Sequence, residues 1–84
     1  MTNPLVYLVE DSEMLSMLYQ DYLRAESYDI RAFRFGKEGL DALKEQPPQV
    51  LLLDLELPDM DGMDLLRYVS EQGLPTSVVV ITAH

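Results

Sequence analysis

Three carboxylates stand where apolar runs stop. Glu10 and Asp11 follow Leu5-Val6-Tyr7-Leu8-Val9, and Asp54 follows Val50-Leu51-Leu52-Leu53. Short continuous apolar runs rich in strand formers read as strands buried on both faces. In an open parallel sheet, ligands bind outside the carboxyl ends of the strands, near the point where strand order reverses. If the first and third strands are neighbours, Glu10, Asp11 and Asp54 converge there. Carboxylates sharing so small a space must raise their pKa values or take a cation between them. Hard oxygen donors with room for water suit Mg²⁺, which commonly takes one or two carboxylates. Thr82 ends a fourth apolar run and is the remaining strand-end candidate.

Each residue also has an ordinary structural reading. Asp11 or Ser12 can cap a following helix, and Asp54 can close a turn. Asp59, Asp61 and Asp64 read as solvated acids favouring the N-terminal dipole of the third helix. Met14, Met17 and Tyr22 read as packing residues, and His84 as an exposed imidazole. The functional reading rests on the joint placement of acids at two strand ends expected to be adjacent.

The elements that must position these acids alternate along the chain. The first strand is Leu5 to Val9. A helix from about Ser12 to Ala25 follows, with Leu15, Leu18, Tyr22 and Tyr19 on its inner side and Glu13, Gln20, Asp21 and Arg24 largely opposite. The second strand is expected over Tyr28 to Phe35, with Ile30, Ala32 and Phe33 inward. Arg31 and Arg34 mark it as edge-like. A second helix over Gly36 to Glu45 carries Leu40 and Leu43 and stops at Pro47-Pro48. The third strand runs from Val50 to Leu53 with Asp54 at its end. A third helix over Met63 to Glu71 places Met63, Leu66 and Val69 on one side, and Gly73 and Pro75 end it. Ser77 to Ile81 is the fourth strand. The order βαβαβαβ requires parallel pairing through right-handed crossovers, an α/β architecture. The chain stops after a strand, where a helix returning across the sheet is expected, so it reads as part of a domain.

With 84 residues there is room for one small domain. At 48% hydrophobic and 25% charged the composition is globular. Fifteen acids against six Lys and Arg give a formal net charge of −9. Such a surface repels phosphate backbones, so direct nucleic-acid contact is not expected. The absence of cysteine excludes disulfides and thiolate metal sites. No signal peptide or membrane-length apolar run is seen, and a cytoplasmic location is expected.

The motifs "VYLVEDS" (Val6 to Ser12), "LLLDLELPDMDGMDLL" (Leu51 to Leu66) and "VVVITAH" (Val78 to His84) together resemble the receiver domain of two-component response regulators. The pattern is an acidic pair, a strand-ending Asp with Pro four and Gly eight residues on, then a strand-ending Thr-Ala. The wording is similar to the receivers of NtrC-like and LuxO-like transcription activators. The resemblance implies a flavodoxin-like (CheY-like) three-layer fold with strand order 2-1-3-4. It implies that Asp54 is the phosphoacceptor and that Thr82 contacts the phosphoryl group and switches position. It assigns Mg²⁺ to Asp11, Asp54 and the Glu56 backbone carbonyl, with Glu10 acting through a metal-bound water. Glu56 and His84 fall where the family tunes phosphoryl lifetime, and Pro58 and Gly62 shape the loop. The implied donor is a sensor histidine kinase or histidine phosphotransfer protein, and the implied output is a downstream effector domain, transcriptional in this subfamily.

The family's domain continues past Thr82 with a fourth helix, a fifth strand and a fifth helix. That fifth strand carries a lysine that pairs with phosphoryl oxygens. Lys37 and Lys44 fall on the second helix and do not fill that role. Residues 1–84 are therefore expected to be the N-terminal part of a receiver domain. Its fourth strand would form an exposed apolar edge and its first helix would lose cover, so self-association is expected. Two other function classes compete. One is a receiver-like interaction module that is not phosphorylated. The other is a hydrolase of the haloacid-dehalogenase type, whose nucleophile ends the first strand with an Asp two residues on. Here Asp54 ends the third strand and Glu56 holds that position. The chain is thus not expected to be an enzyme.

Overall fold

The computed structural model describes residues 3–81. The elements are β1 (Leu5–Val9), α1 (Glu13–Ala25), β2 (Asp29–Phe33), α2 (Gly36–Glu45), β3 (Val50–Asp54), α3 (Met63–Glu71) and β4 (Ser77–Ile81). The four strands form one parallel sheet in the order β2-β1-β3-β4. This is the α/β arrangement that the alternating elements require.

Handedness places the helices. The crossover from β1 to β2 runs one way along the sheet, and the crossover from β2 to β3 runs back past β1. Right-handed connections then put α1 on one face and α2 on the other. The step from β3 to β4 continues in the second direction, so α3 joins α2. Strand alternation matches this. Tyr7, Val9, Leu51 and Leu53 meet Ala42 and Leu43 of α2 and Leu65 and Val69 of α3 in the main core. Val6 and Leu8 point to the α1 face and are also buried. The Tyr7 hydroxyl donates to the Gln46 carbonyl at 2.6 Å, tying β1 to the end of α2. The Tyr7 ring meets Phe33 edge to face at 5.3 Å.

Several sequence expectations need correction. β2 is shorter than Tyr28 to Phe35, because β1 offers partners only from Leu5 to Val9. Tyr28 instead donates its N–H to Leu23 at the end of α1, and Phe35 opens α2. Ala32 is exposed rather than inward. On α3 the fully buried residue is Leu65, with Val69 one turn on, while Met63 and Leu66 are half-buried. On α1 no residue is buried: Leu15 and Tyr19 are half-buried, and Leu18 and Tyr22 are 60% and 68% exposed. Met14 and Met17 are exposed as well, so neither packs as expected. α2 and α3 cover the opposite face, and α1 lies chiefly against the edge strand β2.

Candidate functional site

The site lies where the crossover direction reverses, at the carboxyl ends of β1 and β3. Val9 pairs with Leu53, so the residues that follow them, Glu10 and Asp54, emerge side by side. Glu10 is 4% exposed and Asp54 is 6% exposed. Asp11, next in the chain, completes the group. One carboxylate oxygen from each of Glu10, Asp11 and Asp54 lies within 4.8 Å of the others. The convergence expected from the sequence is present.

Local hydrogen bonds fix each acid. Glu10 donates its N–H to the Phe33 carbonyl at 3.0 Å, and its own carboxylate accepts the Ser12 N–H at 3.1 Å. Ser12, in extended backbone, caps α1 by accepting the Leu15 N–H on its hydroxyl. Of the two possible caps it is Ser12 that serves, and Asp11 turns toward the other acids. Asp54 Oδ1 accepts the Glu56 N–H at 3.0 Å, which sets the plane of its carboxylate.

The crowding has an electrostatic signature. Burial pushes the Glu10 carboxyl from 4.5 up to about 7. The Ser12 N–H pulls it down, while a hydrogen bond and charge from Asp54, and the charge of Asp11, push it up. A carboxylate so disfavoured among carboxylates is a group short of positive charge. The donors are all hard oxygens, and at this spacing they fit Mg²⁺ with waters retained.

The loop from β3 to α3 closes tightly. Gly62 donates its N–H to the Leu55 carbonyl at 3.1 Å, and Glu56 bridges Asp61. A Cβ on Gly62 would lie 2.6 Å from Leu55 Cα and 2.7 Å from the Asp54 carbonyl oxygen. The glycine of the motif is therefore needed for close approach beside Asp54, although its backbone is ordinary helix. Asp61 accepts the Met63 N–H at 2.9 Å and Asp64 pairs with Arg67, both at the start of α3 as expected. Asp59 does otherwise: its carboxylate accepts the Gly36 and Lys37 N–H groups at the start of α2. Only the unfilled cap position at Phe35 could have hinted at this contact. Thr82 and His84 lie outside the described residues.

A family model described as the response regulator receiver domain matches residues 6–84. The chain belongs to the response regulator receiver family. This receiver domain is 39% identical over 77 residues to the regulatory protein LuxO of Vibrio vulnificus, covering 92% of this chain and 17% of LuxO. It is 35% identical over 79 residues to the transcriptional regulator NtrC of Proteus hauseri, covering 94% of this chain and 17% of NtrC. The signal receiver domain of a Luxo repressor protein from Vibrio parahaemolyticus superposes with a TM-score of 0.91 at 43% identity, covering 98% of this chain and 63% of that one. The MaeR response regulator bound to beryllium trifluoride superposes at 0.87 with 28% identity, covering 100% of this chain and 69% of that one. The receiver thus spans about a sixth of the length of those full-length regulators. Among the described residues, no helix is long and apolar enough to cross a membrane.

Proposed function

We propose that this receiver domain takes a phosphoryl group onto Asp54 from a phosphohistidine on a sensor kinase or phosphotransfer protein. The observation that carries the proposal is the meeting of buried Glu10 and Asp54 with half-buried Asp11 at the adjacent ends of β1 and β3. A carboxylate oxygen of Asp54 forms the new P–O bond as the P–N bond of the donor breaks, and that bond's electron pair stays on the imidazole nitrogen. Asp11, Asp54 and the Glu56 carbonyl would hold Mg²⁺, with Glu10 reaching it through water. When bound, the ion supplies positive charge against the developing negative charge of phosphoryl transfer. The Glu56 N–H holds Asp54 in one orientation throughout. Thr82 is the proposed phosphoryl contact and switch. The output belongs to a linked effector domain, transcriptional as in LuxO- and NtrC-like proteins, and the setting is the cytoplasm. The exposed β4 residues Val79 and Val80, on an edge strand, are the proposed seat of self-association.

Beryllofluoride, a stand-in for the phosphoryl group, tests the reading. With Mg²⁺ present, fluorine NMR should show a bound signal that is lost in Asp54→Asn and on chelating the ion. Absence of a bound signal in the wild-type chain would reject the site.

A further inference from the structure

Asp59 lies in the β3–α3 loop but takes no part in the acid cluster. Its Oδ1 accepts the Gly36 N–H at 2.8 Å and its Oδ2 accepts the Lys37 N–H at 2.9 Å. These are orphan donors of the first turn of α2, whose own cap residue, Phe35, makes no side-chain cap bond. The contact spans more than twenty residues of sequence. The residues beside Asp59 reinforce it. A Cβ on Gly36 would lie 2.5 Å from Met60 Cγ and 2.9 Å from Leu57 Cδ1, so the loop packs where only a glycine leaves room. The Lys37 N–H first, and the Gly36 N–H with it, hold the Asp59 carboxyl below the ordinary range, which keeps it an anion and a strong acceptor.

The base of the same loop is closed by Gly62 N–H to the Leu55 carbonyl and by the Glu56–Asp61 bridge. Glu56 therefore sits in a short loop pinned at its base by β3 and at its tip by α2. We propose that Asp59 is a positioning residue for the phosphoacceptor site. By clamping the loop tip to the start of α2, it holds the Glu56 backbone in the setting that orients Asp54 and presents the Glu56 carbonyl to the cation. This deepens the reading of the acid cluster as a Mg²⁺ site and rests on it. A cap that served stability alone would leave cation binding untouched.

The test compares Asp59→Ala, Asp59→Asn and Thr76→Ala in the whole chain. Thr76 donates to the Pro48 carbonyl at 2.7 Å, at the opposite end of the sheet, so its loss is the control for general loosening. Calorimetric titration with Mg²⁺ should show Asp59→Ala raising the dissociation constant about tenfold, the low end for outer-shell partners. Asp59→Asn, which keeps one acceptor oxygen, should show a smaller rise, and Thr76→Ala none. Amide exchange should quicken at Glu56 in Asp59→Ala and not in Thr76→Ala. Wild-type affinity in both Asp59 variants would overturn the proposal, and so would an equal loss in Thr76→Ala. If Asp59→Ala does not fold, Asp59→Asn decides alone, and an unchanged dissociation constant and Glu56 exchange would overturn the clamp. If the wild-type chain binds no Mg²⁺, the cation reading fails by itself. Glu56 exchange then decides the clamp: faster in Asp59→Ala supports it, unchanged overturns it.

Discussion

Burial, with Asp54 and Asp11 beside it, pushes the Glu10 carboxyl up. Its pKa in the folded chain, about 7, lies above its ordinary 4.5. The folded state therefore binds this proton more tightly than the unfolded state does. The resulting stability is fully present below pH 4.5 and is lost as pH rises through about 7. With Mg²⁺ chelated, the thermal midpoint should carry a falling contribution across that window, and Glu10→Gln should remove it. A parallel pH profile in the variant would contradict the assignment. Gly62→Ala should cost about 1–3 kcal/mol in denaturant unfolding, since the added methyl meets backbone that cannot move without shifting Asp54. The cluster itself was legible in the sequence because Glu10, Asp11 and Asp54 end apolar runs whose adjacency follows from the parallel crossovers. The Asp59 contact was not legible: its partners are backbone N–H groups of a distant helix, and the unfilled cap at Phe35 does not say which side chain fills its place.

Among the elements, α1 and α3 show how far periodicity can be read. Both carry apolar stripes at helical spacing, yet α3 buries Leu65 completely while α1 buries nothing. A stripe says which side faces inward but not whether another element arrives to cover it. Read on α3, the stripe also pointed to Met63 and Leu66, while the full burial falls on Leu65, where α3 meets both α2 and the sheet. Leu65→Ala should therefore cost about 2–5 kcal/mol. Leu18→Ala on α1 should stay within about 0.5 kcal/mol at concentrations where the chain is monomeric. Urea unfolding of both variants checks the contrast, and similar costs would contradict the layer assignment. The order of elements was legible throughout, because each strand is a short apolar run and each helix is bounded by a cap, a proline pair or a glycine. The end of β2 was not, since it is set by the length of its partner β1.

At the scale of the whole molecule, a net charge of −9 includes three acids gathered at one end of the sheet. A divalent cation bound there stabilises the folded state by mass action, about 2.7 kcal/mol at a hundredfold excess over its dissociation constant. The gain should vanish in Asp54→Ala and persist in added NaCl better than any gain from surface screening. The exposed β4 edge predicts self-association, which light scattering should detect as a mass above the monomer at high micromolar concentration; a monomer there would contradict it. Asp54 is the residue proposed to receive the phosphoryl group. Incubation with a small phosphodonor and Mg²⁺, followed by borohydride reduction and peptide mass mapping, measures it directly. The reduced residue should map to Asp54 and disappear when the ion is chelated. An adduct on another residue, or none in the wild-type chain, would contradict it.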